Sequence, residues 1–453
     1  MHNPSKKAEN SRRKFLKTAA ALVGPAVLSR APATWASGAA AKPNDRIQLA
    51  AVGVRGRGNN LLTRFSAMPD VDMRYVCDID QNVLAKRLKE TRDGGQQATG
   101  LDDFRRALDD KEIDAICLGT PDHWHAIPMI LACMAGKDVY TEKPDGHNIV
   151  ESQRMTAAQE RYGRVVQMGT QARSGPIYHQ AVEYVRQGKL GKVRFAKAWE
   201  SQRQRSLGHP PDAPVPAGVD YDTWLGPAPL RPFNPMRHHS NWRWFFDYGT
   251  GDLGNDGVHR IDYTRWLLQT ALEAQEETLA PLPTAVSAHG GKHYFDDIQE
   301  WPDTLVAVYD YPNCVLTYEM RIWSPYKLHG EGEGGVVYGD RGYLVLGNRR
   351  WRAFDEGGEV VAESDGLSNL ETTDLHIRNF LDCMRTRNAP AADLRTVGAP
   401  SSMLCHLANA SWRAGRSLRY NAATGAFAGD LEANQFLTRE RYRAPWTLPV
   451  IDT

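Results

Sequence analysis

Several features are scarce in this 453-residue chain, and each absence excludes a class of protein. The six cysteines form no C-x-x-C pair and no spacing typical of a metal site, so we expect buried free thiols and no disulfide-stapled scaffold. Charge is balanced, with 55 Lys and Arg against 54 Asp and Glu, which gives no indication of a nucleic-acid or anionic-membrane partner. We find no internal repeat and no low-complexity linker. The remaining class is a soluble globular protein long enough for two domains.

The N-terminus differs from the rest of the chain. Ser11 to Lys17 contains the pair Arg12-Arg13, and an apolar run over residues 18–28 follows that is too short to span a bilayer. A zone of small residues comes next, with Ala33 or Ala36 as cleavage positions. The pattern predicts a twin-arginine export signal over residues 1–36, a partner in the twin-arginine export machinery, and a periplasmic protein without a membrane anchor after cleavage. A membrane anchor or a disordered basic tail is the alternative.

The stretch from Ile47 to Asp78 organises the chain. A short apolar strand runs into a glycine-rich turn, a helix opens from the turn, and a second strand ends on Asp78. Backbone N–H groups at such a helix N-terminus receive a pyrophosphate, and the acid at the tip of the second strand takes the ribose hydroxyls. The stretch therefore predicts a dinucleotide site. A glycine-rich turn without a ligand is the alternative, because glycines cluster in many turns.

The turn departs from the usual G-x-G-x-x-G pattern at its second glycine. Gly53 and Gly58 match the first and third positions, but Arg55 stands at the second and Gly56 comes one residue late. Arg55 must therefore turn away or meet the phosphate itself. Asp78 favours NAD, since a carboxylate repels a 2′-phosphate. NADP stays open because Arg55 or Arg57 could reach that phosphate.

Strand and helix patterns alternate up to about residue 170, with apolar strands at 113–119, 137–140 and 165–169. This alternation predicts a doubly wound parallel sheet, a Rossmann domain over residues 45–170. Stretches with strand alternation at 193–199, 304–309, 315–322 and 335–346 predict a second α/β domain over residues 171–453, with a large, mostly antiparallel sheet. Helices are expected at 258–268, 374–385 and 401–415. The substrate cleft should lie between the domains.

Taken together and in order, these residues resemble the glucose-fructose oxidoreductase, inositol dehydrogenase and MocA family (Gfo/Idh/MocA), and within it the exported members. The resemblance rests on the glycine-rich turn with Asp78, on Thr120-Pro-Asp-His-Trp-His125, on Glu142-Lys143-Pro144 and on the run from Gly249 to Asp262. It implies a Rossmann domain that holds NAD or NADP, and a second α/β domain whose sheet often serves in oligomer contacts, hence a homo-oligomer.

The resemblance also implies site residues. Lys143 matches the lysine beside the nicotinamide ribose and the substrate hydroxyl, and Glu142, Thr120, Pro121 and His125 lie beside the cofactor. Asp256 and His259 match residues that contact the substrate, with the histidine as base. Their spacing of three at the start of a predicted helix places both side chains on one face. A surface lysine before a proline, and a helix cap beside a satisfied histidine, are the alternatives.

A long segment rich in aromatic residues, from Asp220 to Phe246, joins tryptophans to Arg237, Asn241 and other planar polar side chains. Stacking aromatics interleaved with such groups suit a carbohydrate pocket, so we expect Arg237, Asn241 and Trp242 at the substrate. Gln171 and Arg173, at the exit of the last Rossmann strand, are further candidates. An ordered loop packed on the second domain is the alternative. His123 and His125 stand two apart, but no third ligand has recognisable spacing, so no metal is expected.

Three functions follow from these observations. The first is an exported NAD(P)-dependent oxidoreductase acting on a secondary hydroxyl of a sugar, glycoside or polyol, with His259 as base, Lys143 assisting and Asp256 fixing the substrate or the histidine. The second is a redox-neutral glycosidase or lyase, which oxidises, eliminates, hydrates and re-reduces the sugar. The third is a non-catalytic sugar-binding protein. Outside the cytoplasm there is little free nicotinamide dinucleotide, so a tightly bound cofactor that is regenerated within each turnover is expected.

Overall fold

The computed structural model describes residues 46–364 and 369–451, so the predicted export signal of residues 1–36 lies outside the described part. The first sheet has six strands, all parallel, in the order β3-β2-β1-β4-β5-β6. These are β1 (Ile47–Val52), β2 (Val71–Cys77), β3 (Thr99–Leu101), β4 (Ala115–Leu118), β5 (Asp138–Thr141) and β6 (Val166–Met168). The strand order reverses between β1 and β4, and a doubly wound sheet binds its ligand in the crevice at such a point.

Helices connect these strands, and residues at their ends cap them. They are α1 (Arg57–Ser66), α2 (Gln81–Asp93), α3 (Arg105–Asp109), α4 (Ala126–Met134) and α5 (Ile149–Tyr162). Asp80 caps α2, because its side chain accepts hydrogen bonds from the N–H groups of Asn82 and Val83. Asn148 caps α5 in the same way, and Gly163 ends that helix in a left-handed conformation. The predicted doubly wound sheet is confirmed.

The second sheet has ten strands, in the order β14-β13-β12-β11-β7-β10-β9-β8-β15-β16. Neighbours pair antiparallel except β7 and β10, which are parallel. The strands are β7 (Val193–Ser201), β8 (Ala285–Gly291), β9 (Thr304–Asp310), β10 (Val315–Arg321), β11 (Glu333–Gly339), β12 (Tyr343–Gly347), β13 (Trp351–Phe354), β14 (Val360–Glu363), β15 (Leu418–Asn421) and β16 (Ala426–Phe427). The predicted large, mostly antiparallel sheet is confirmed.

The described residues of this half of the chain form the helices α6 (Pro176–Arg186), α7 (Tyr221–Leu225), α8 (Val258–Glu273), α9 (Asn369–Thr386) and α10 (Ala399–Ala414). A π-helical turn, Leu253–Gly257, leads directly into α8, and another, Leu394–Gly398, leads into α10. Such turns are rare and often mark functional sites. The first of them carries the sequence motif that ends in His259.

Residues beyond position 170 complete the core of the first sheet. Phe380 of α9 packs edge-on against Phe65 and Tyr140, with ring centroids 6.3 and 5.9 Å apart. Trp446 and Ile451, near the C-terminus, are buried in the cluster on the sheet's other face. The two sheets therefore share elements, and the chain returns to the first sheet after building the second.

All six cysteines are buried free thiols, as predicted. Within the described part of the chain, no helix is both long enough and apolar enough to cross a membrane.

Candidate active site

A cavity of about 660 Å³ lies at the carboxyl ends of strands β1, β2, β4 and β5. Of the predicted site residues, its walls include Gly53, Arg55, Gly56, Arg57, Asp78, Thr120, Pro121, Glu142, Lys143 and Trp242. This is the crevice where a doubly wound sheet binds its ligand.

The glycine-rich turn is built so that glycine is needed at two of its positions. Gly53 adopts a left-handed conformation with φ of 75°. A Cβ on Gly58 would lie 1.7 Å from the carbonyl oxygen of Gly53, so no side chain fits there. Gly56 has φ of 49°, lines the cavity, and a Cβ on it would meet no atom within 4 Å. The open space for a phosphate therefore lies at Gly56, while the side chain of Arg55 is exposed.

Asp78, at the end of β2, forms the ribose end of the cavity. Its carboxylate accepts hydrogen bonds from the backbone N–H groups of Val54 at 2.9 Å and Asp80 at 3.0 Å. Burial raises the pKa of Asp78, and these N–H groups counter that effect. Each oxygen retains a lone pair for a ribose hydroxyl. With the start of α1 and the open turn, these residues fit a nicotinamide dinucleotide.

Arg57 does not lie at the ribose end of the cavity. Its Nε donates to Oε1 of Glu142 at 2.9 Å, at the tip of β5, three strands away from Asp78. Burial alone favours the protonated form of Glu142, but Arg57 and Lys143 outweigh it and lower the pKa of this carboxyl. The expectation that Arg57 could contact a 2′-phosphate is corrected by this ion pair. Gln171 reaches the same acid, with Nε2 3.5 Å from Oε1.

Lys143 connects the two sheets at the site. Its ammonium donates to the backbone carbonyl of Asn255, which also lines the cavity. Asp256 does not line the cavity, and its carboxylate accepts a hydrogen bond from the Asn255 amide at 3.1 Å. The sequence prediction assumed an α-helix from Asp256 onward, but the turn is π-helical, and its wider turn changes which residue faces Lys143. Asn255 was therefore missed.

His259 follows four residues after Asn255, at the start of α8. Burial, followed by the positive charges of Lys143, Arg260 and Arg57, lowers its pKa well below the usual range. The imidazole is therefore neutral at working pH and able to accept a proton. Among the residues that the structure describes, none forms a hydrogen bond to this ring. His259 itself does not line the cavity, whereas Asn255, four residues before it, does.

His125 has a supporting position and does not line the cavity. Its Nδ1 lies 2.7 Å from the carbonyl oxygen of Pro144, and its Nε2 lies 2.9 Å from that of Thr120. It therefore ties together two loops that do line the cavity. His123 is held similarly by the carbonyls of Tyr248 and Trp224, and burial lowers its pKa to about 3. No group of three or more His, Cys, Asp and Glu residues able to hold a metal occurs in residues 46–364 and 369–451.

Of the seven predicted substrate residues, Trp242 lines the cavity and the other six do not: Gln171, Arg173, Arg237, Asn241, Asp256 and His259. Arg173 is buried and forms a two-pronged ion pair with Asp262, with both N–O distances 2.9 Å. Arg237 is buried and donates to Asp212 at 2.7 Å. Asn241 precedes the short helical turn of Trp242 and does not line the cavity, whereas Trp242 does. The structure thus brings Trp242 to the site and gives the two arginines internal partners.

Two segments close the ribose end of the cavity; from the sequence, the first is expected at the substrate and the second is not predicted. The first, residues 217–243, is bound to the loop after Asp78: the N–H of Gln81 donates to Gly218, the N–H of Asp220 donates to Ile79, and His239 lies 2.8 Å from Asp80. Asp220, Thr223, Trp224, His239, Ser240 and Arg243 of this segment line the cavity. No motif marked their position, because the contacts join residues far apart in sequence.

The second is the C-terminal segment, residues 439–451, which brings Trp446 into the cavity wall. The Arg105 guanidinium lies 4.6 Å from the centre of the Trp446 ring, and Trp124 packs edge-on against it at 4.8 Å. Arg443 anchors the segment by donating to the carbonyl of Gly226 at 3.0 Å and to Asp222 at 2.6 Å. The C-terminus therefore belongs to the nucleotide cavity.

Comparison with known families matches both halves of the chain. Residues 47–170 match the model described as oxidoreductase family, NAD-binding Rossmann fold. Residues 195–341 match the model described as oxidoreductase family, C-terminal alpha/beta domain. Both models are those of the Gfo/Idh/MocA oxidoreductases.

Curated relatives and solved structures agree with that match. A glycosyl hydrolase family 109 protein of Shewanella baltica (strain OS185) is 28% identical over 207 residues, which cover 41% of this chain and 45% of the relative. One of Saccharopolyspora erythraea is 32% identical over 160 residues, 31% of this chain and 35% of the relative. The chain thus spans less than half the length of these relatives.

Among solved structures, levoglucosan dehydrogenase in complex with NADH and levoglucosan superposes with a TM-score of 0.62 at 17% identity, covering 83% of this chain and 99% of that one. The WlbA dehydrogenase of Bordetella pertussis, in complex with NADH and UDP-GlcNAcA, gives 0.60 at 18% identity, with 83% and 99% coverage. At these identities the likeness establishes a shared fold.

Proposed function

This chain belongs to the Gfo/Idh/MocA family of oxidoreductases, with an NAD-binding Rossmann domain, and we propose that it oxidises a secondary hydroxyl of a sugar, glycoside or polyol. The observation that carries the proposal is the junction of Lys143 with Asn255. It places a lysine from the Rossmann sheet against the turn that leads to His259, at the edge of the nucleotide cavity.

The nicotinamide, when bound, supplies a hydride acceptor. His259 takes the hydroxyl proton, because its imidazole is neutral and carries no hydrogen bond from the described residues. Lys143 donates to the substrate oxygen and orients it. Asp256 acts through the amide of Asn255, which its carboxylate holds. Thr120 and Pro121 form the wall on the β4 side, supported by His125.

A carbohydrate substrate is supported by the chemistry of the wall and by the names of similar proteins. Trp242 presents an aromatic surface to the cavity, beside the hydrogen-bonding side chain of Arg243, whose charge acts on Asp252 next to the π-helical turn. Sugar rings combine apolar C–H faces with hydroxyls, so such a wall suits them. Of the two superposed dehydrogenases, one is in complex with NADH and levoglucosan and the other with NADH and UDP-GlcNAcA.

A redox-neutral glycosidase is the second candidate, and the family 109 relatives favour it. Oxidation at sugar C3 acidifies the neighbouring C2–H. Loss of that proton expels the aglycone, water adds to the resulting double bond, and the ketone is reduced again. His259 and Lys143 serve the proton transfers at the C3 oxygen both when C3 is oxidised and when the ketone is reduced again. Net redox change is then zero.

Export and a retained nucleotide form part of this proposal. The twin-arginine pathway moves folded proteins, which suits an enzyme that acquires its nucleotide in the cytoplasm. The cavity walls from residues 217–243 and from Trp446 support retention, because bonds between segments must open before the ribose end is released. An internally regenerated cofactor then removes the need for a partner that reoxidises it. We further propose a homo-oligomer and the domain division at residue 170.

The experiment is to incubate the full chain with glycosides in deuterated water and follow three signals: reduced nicotinamide absorbance, released aglycone and deuterium at sugar C2. Aglycone release with deuterium at C2 supports the redox-neutral reaction, whereas reduced nicotinamide without C2 exchange supports ordinary oxidation. His259→Ala should remove either signal, and His209→Ala, at an exposed histidine, should keep it. Unchanged turnover in His259→Ala would exclude the proposed base.

A further inference from the structure

Two buried carboxyls beside the site are not used by the mechanism above. Asp122, in the loop after β4, and Asp252, just before the π-helical turn, are each 1% exposed. One oxygen of Asp122 and both oxygens of Asp252 have no hydrogen-bond partner among the residues that the structure describes. Buried carboxyls are normally paired, because an unpaired one is costly to desolvate. Such groups in a site indicate a functional requirement.

The two carboxyls lie on adjoining segments and share one charged neighbour. Thr250 donates its hydroxyl to the other oxygen of Asp122 at 2.8 Å, two residues before Asp252. The Lys143 ammonium acts on both acids. Further charges act on them as well: Glu151 on Asp122, and Asp256, Arg243 and Arg260 on Asp252. The buried carboxyl of Glu200, on β7, also interacts with Asp252.

Burial raises the pKa of Asp122 to about 7, and burial together with the charge of Asp256 raises that of Asp252 to about 8. Below these values the acids are neutral, and the carboxylate that faces Lys143 is that of Glu142, which already pairs with Arg57. Above these values, Asp122 and Asp252 add two negative charges beside Lys143. The lysine charge is one of the terms that disfavour a proton on His259.

We propose that Asp122 and Asp252 are positioning residues which, when ionised, balance the Lys143 ammonium and so allow His259 to accept the substrate proton. The proposal rests on the proposed function. In the step concerned, the substrate O–H bond breaks and its proton binds to the His259 ring. The oxygen electron pair forms the C=O bond as the carbon's hydrogen leaves with its electron pair to the acceptor. Without the two anions, imidazolium would form beside an ammonium whose neighbouring carboxylate, Glu142, is already paired with Arg57.

The test is the pH profile of kcat in the nucleotide-loaded enzyme. In the wild type, kcat should rise as the pH passes through about 7 and about 8. Asp122→Asn should lose the lower step and Asp252→Asn the upper one, each with kcat reduced about tenfold above the step and KM little changed. Asp252→Glu should restore part of the rate. Asp138→Asn is the matched control, a buried acid paired with Arg387 at the opposite end of β5.

A second readout needs no substrate. The infrared C=O stretch of protonated carboxylic acids should titrate in the wild type near neutral pH, and each Asn variant should lose part of it. Turnover with an unchanged pH profile in both variants, or the absence of a titrating band, would overturn the inference. Absence of turnover on every sugar, with the band present, would instead overturn the proposed function on which the inference rests.

Discussion

Replacing Arg173 separates a structural role from a substrate role. The sequence places this arginine at the cleft, but the structure buries it in a fork with Asp262, where the two side chains are 7% and 0% exposed. Ser401 adds a hydrogen bond to the same carboxylate at 2.7 Å, and the Arg173 guanidinium lies 4.6 Å from the Trp266 ring. The pair thus connects the exit of β6 to α8 and α10. Its acid, Asp262, lies three residues after His259 in α8.

Arg173→Met leaves the Asp262 charge buried without its partner. Breaking such a pair costs about 3–5 kcal/mol, because one desolvated charge remains. Asp262→Leu in the same chain removes that charge, so the double variant should regain part of the loss, with a coupling energy of up to about 3 kcal/mol. Denaturant unfolding of the single and double variants measures both quantities.

The control is Arg416→Met, which breaks a fork of the same geometry to Asp430, with N–O distances of 2.9 and 2.8 Å. That pair is exposed, so its loss should change stability far less. Folded Arg173→Met should keep the KM of the parent for the sugar. A stability within about 1 kcal/mol of the parent, combined with a KM raised tenfold or more, would refute the structural role.

Further predictions concern the turn, the cavity wall and pH. Gly58→Ala should abolish nucleotide retention and lower stability, because the new Cβ would lie 1.7 Å from the carbonyl oxygen of Gly53. The control Gly94→Ala should retain the nucleotide, because the closest atom to its Cβ lies 3.4 Å away. Dialysis followed by quantification of the bound nucleotide distinguishes the two variants. Trp446→Ala should speed nucleotide release roughly tenfold through the loss of aromatic packing, measured by chase with labelled NAD, and a release rate equal to the parent would contradict a role for the C-terminal segment in retention. Asp122→Asn should raise Tm at pH 8 but not at pH 4. The pKa of Asp122 in the folded state, about 7, lies above the usual value of 3.8, so the wild type loses stability as the pH rises through 7. The loss in the free energy of unfolding is on the order of a few kcal/mol. Equal Tm differences at both pH values would contradict a raised pKa for Asp122.

The sequence predicts the part of this protein that depends on local chemistry. Strand alternation and turn residues predict both sheets, and Gly53, Gly58 and Asp78 predict the nucleotide site. The single strand expected over residues 335–346 is two strands in the structure, because Gly342, with φ of 152°, turns the chain between β11 and β12. Strands β8 and β13 to β16 were missed. They are stabilised by pairing with distant strands more than by their own pattern.

The site departs from prediction where tertiary contacts decide the geometry. A π-helical turn places Asn255 at Lys143, and no spacing rule signals the extra residue in that turn. Arg173 and Arg237 find carboxylate partners 89 and 25 residues away, which a reading of neighbouring residues misses. Trp446 reaches the cavity from the far end of the chain. One residue in the sequence could have indicated a further site group: Asp252, an acid that stands among the glycines Gly249, Gly251 and Gly254.

The most direct test of hydride transfer at this site is to dialyse the protein extensively, denature it, and identify the released nucleotide by mass and absorbance. We expect NAD, in stoichiometric amount, retained by the cavity walls. A protein that is empty and also fails to bind added nucleotide would contradict the retained cofactor and, with it, hydride transfer at Lys143 and His259.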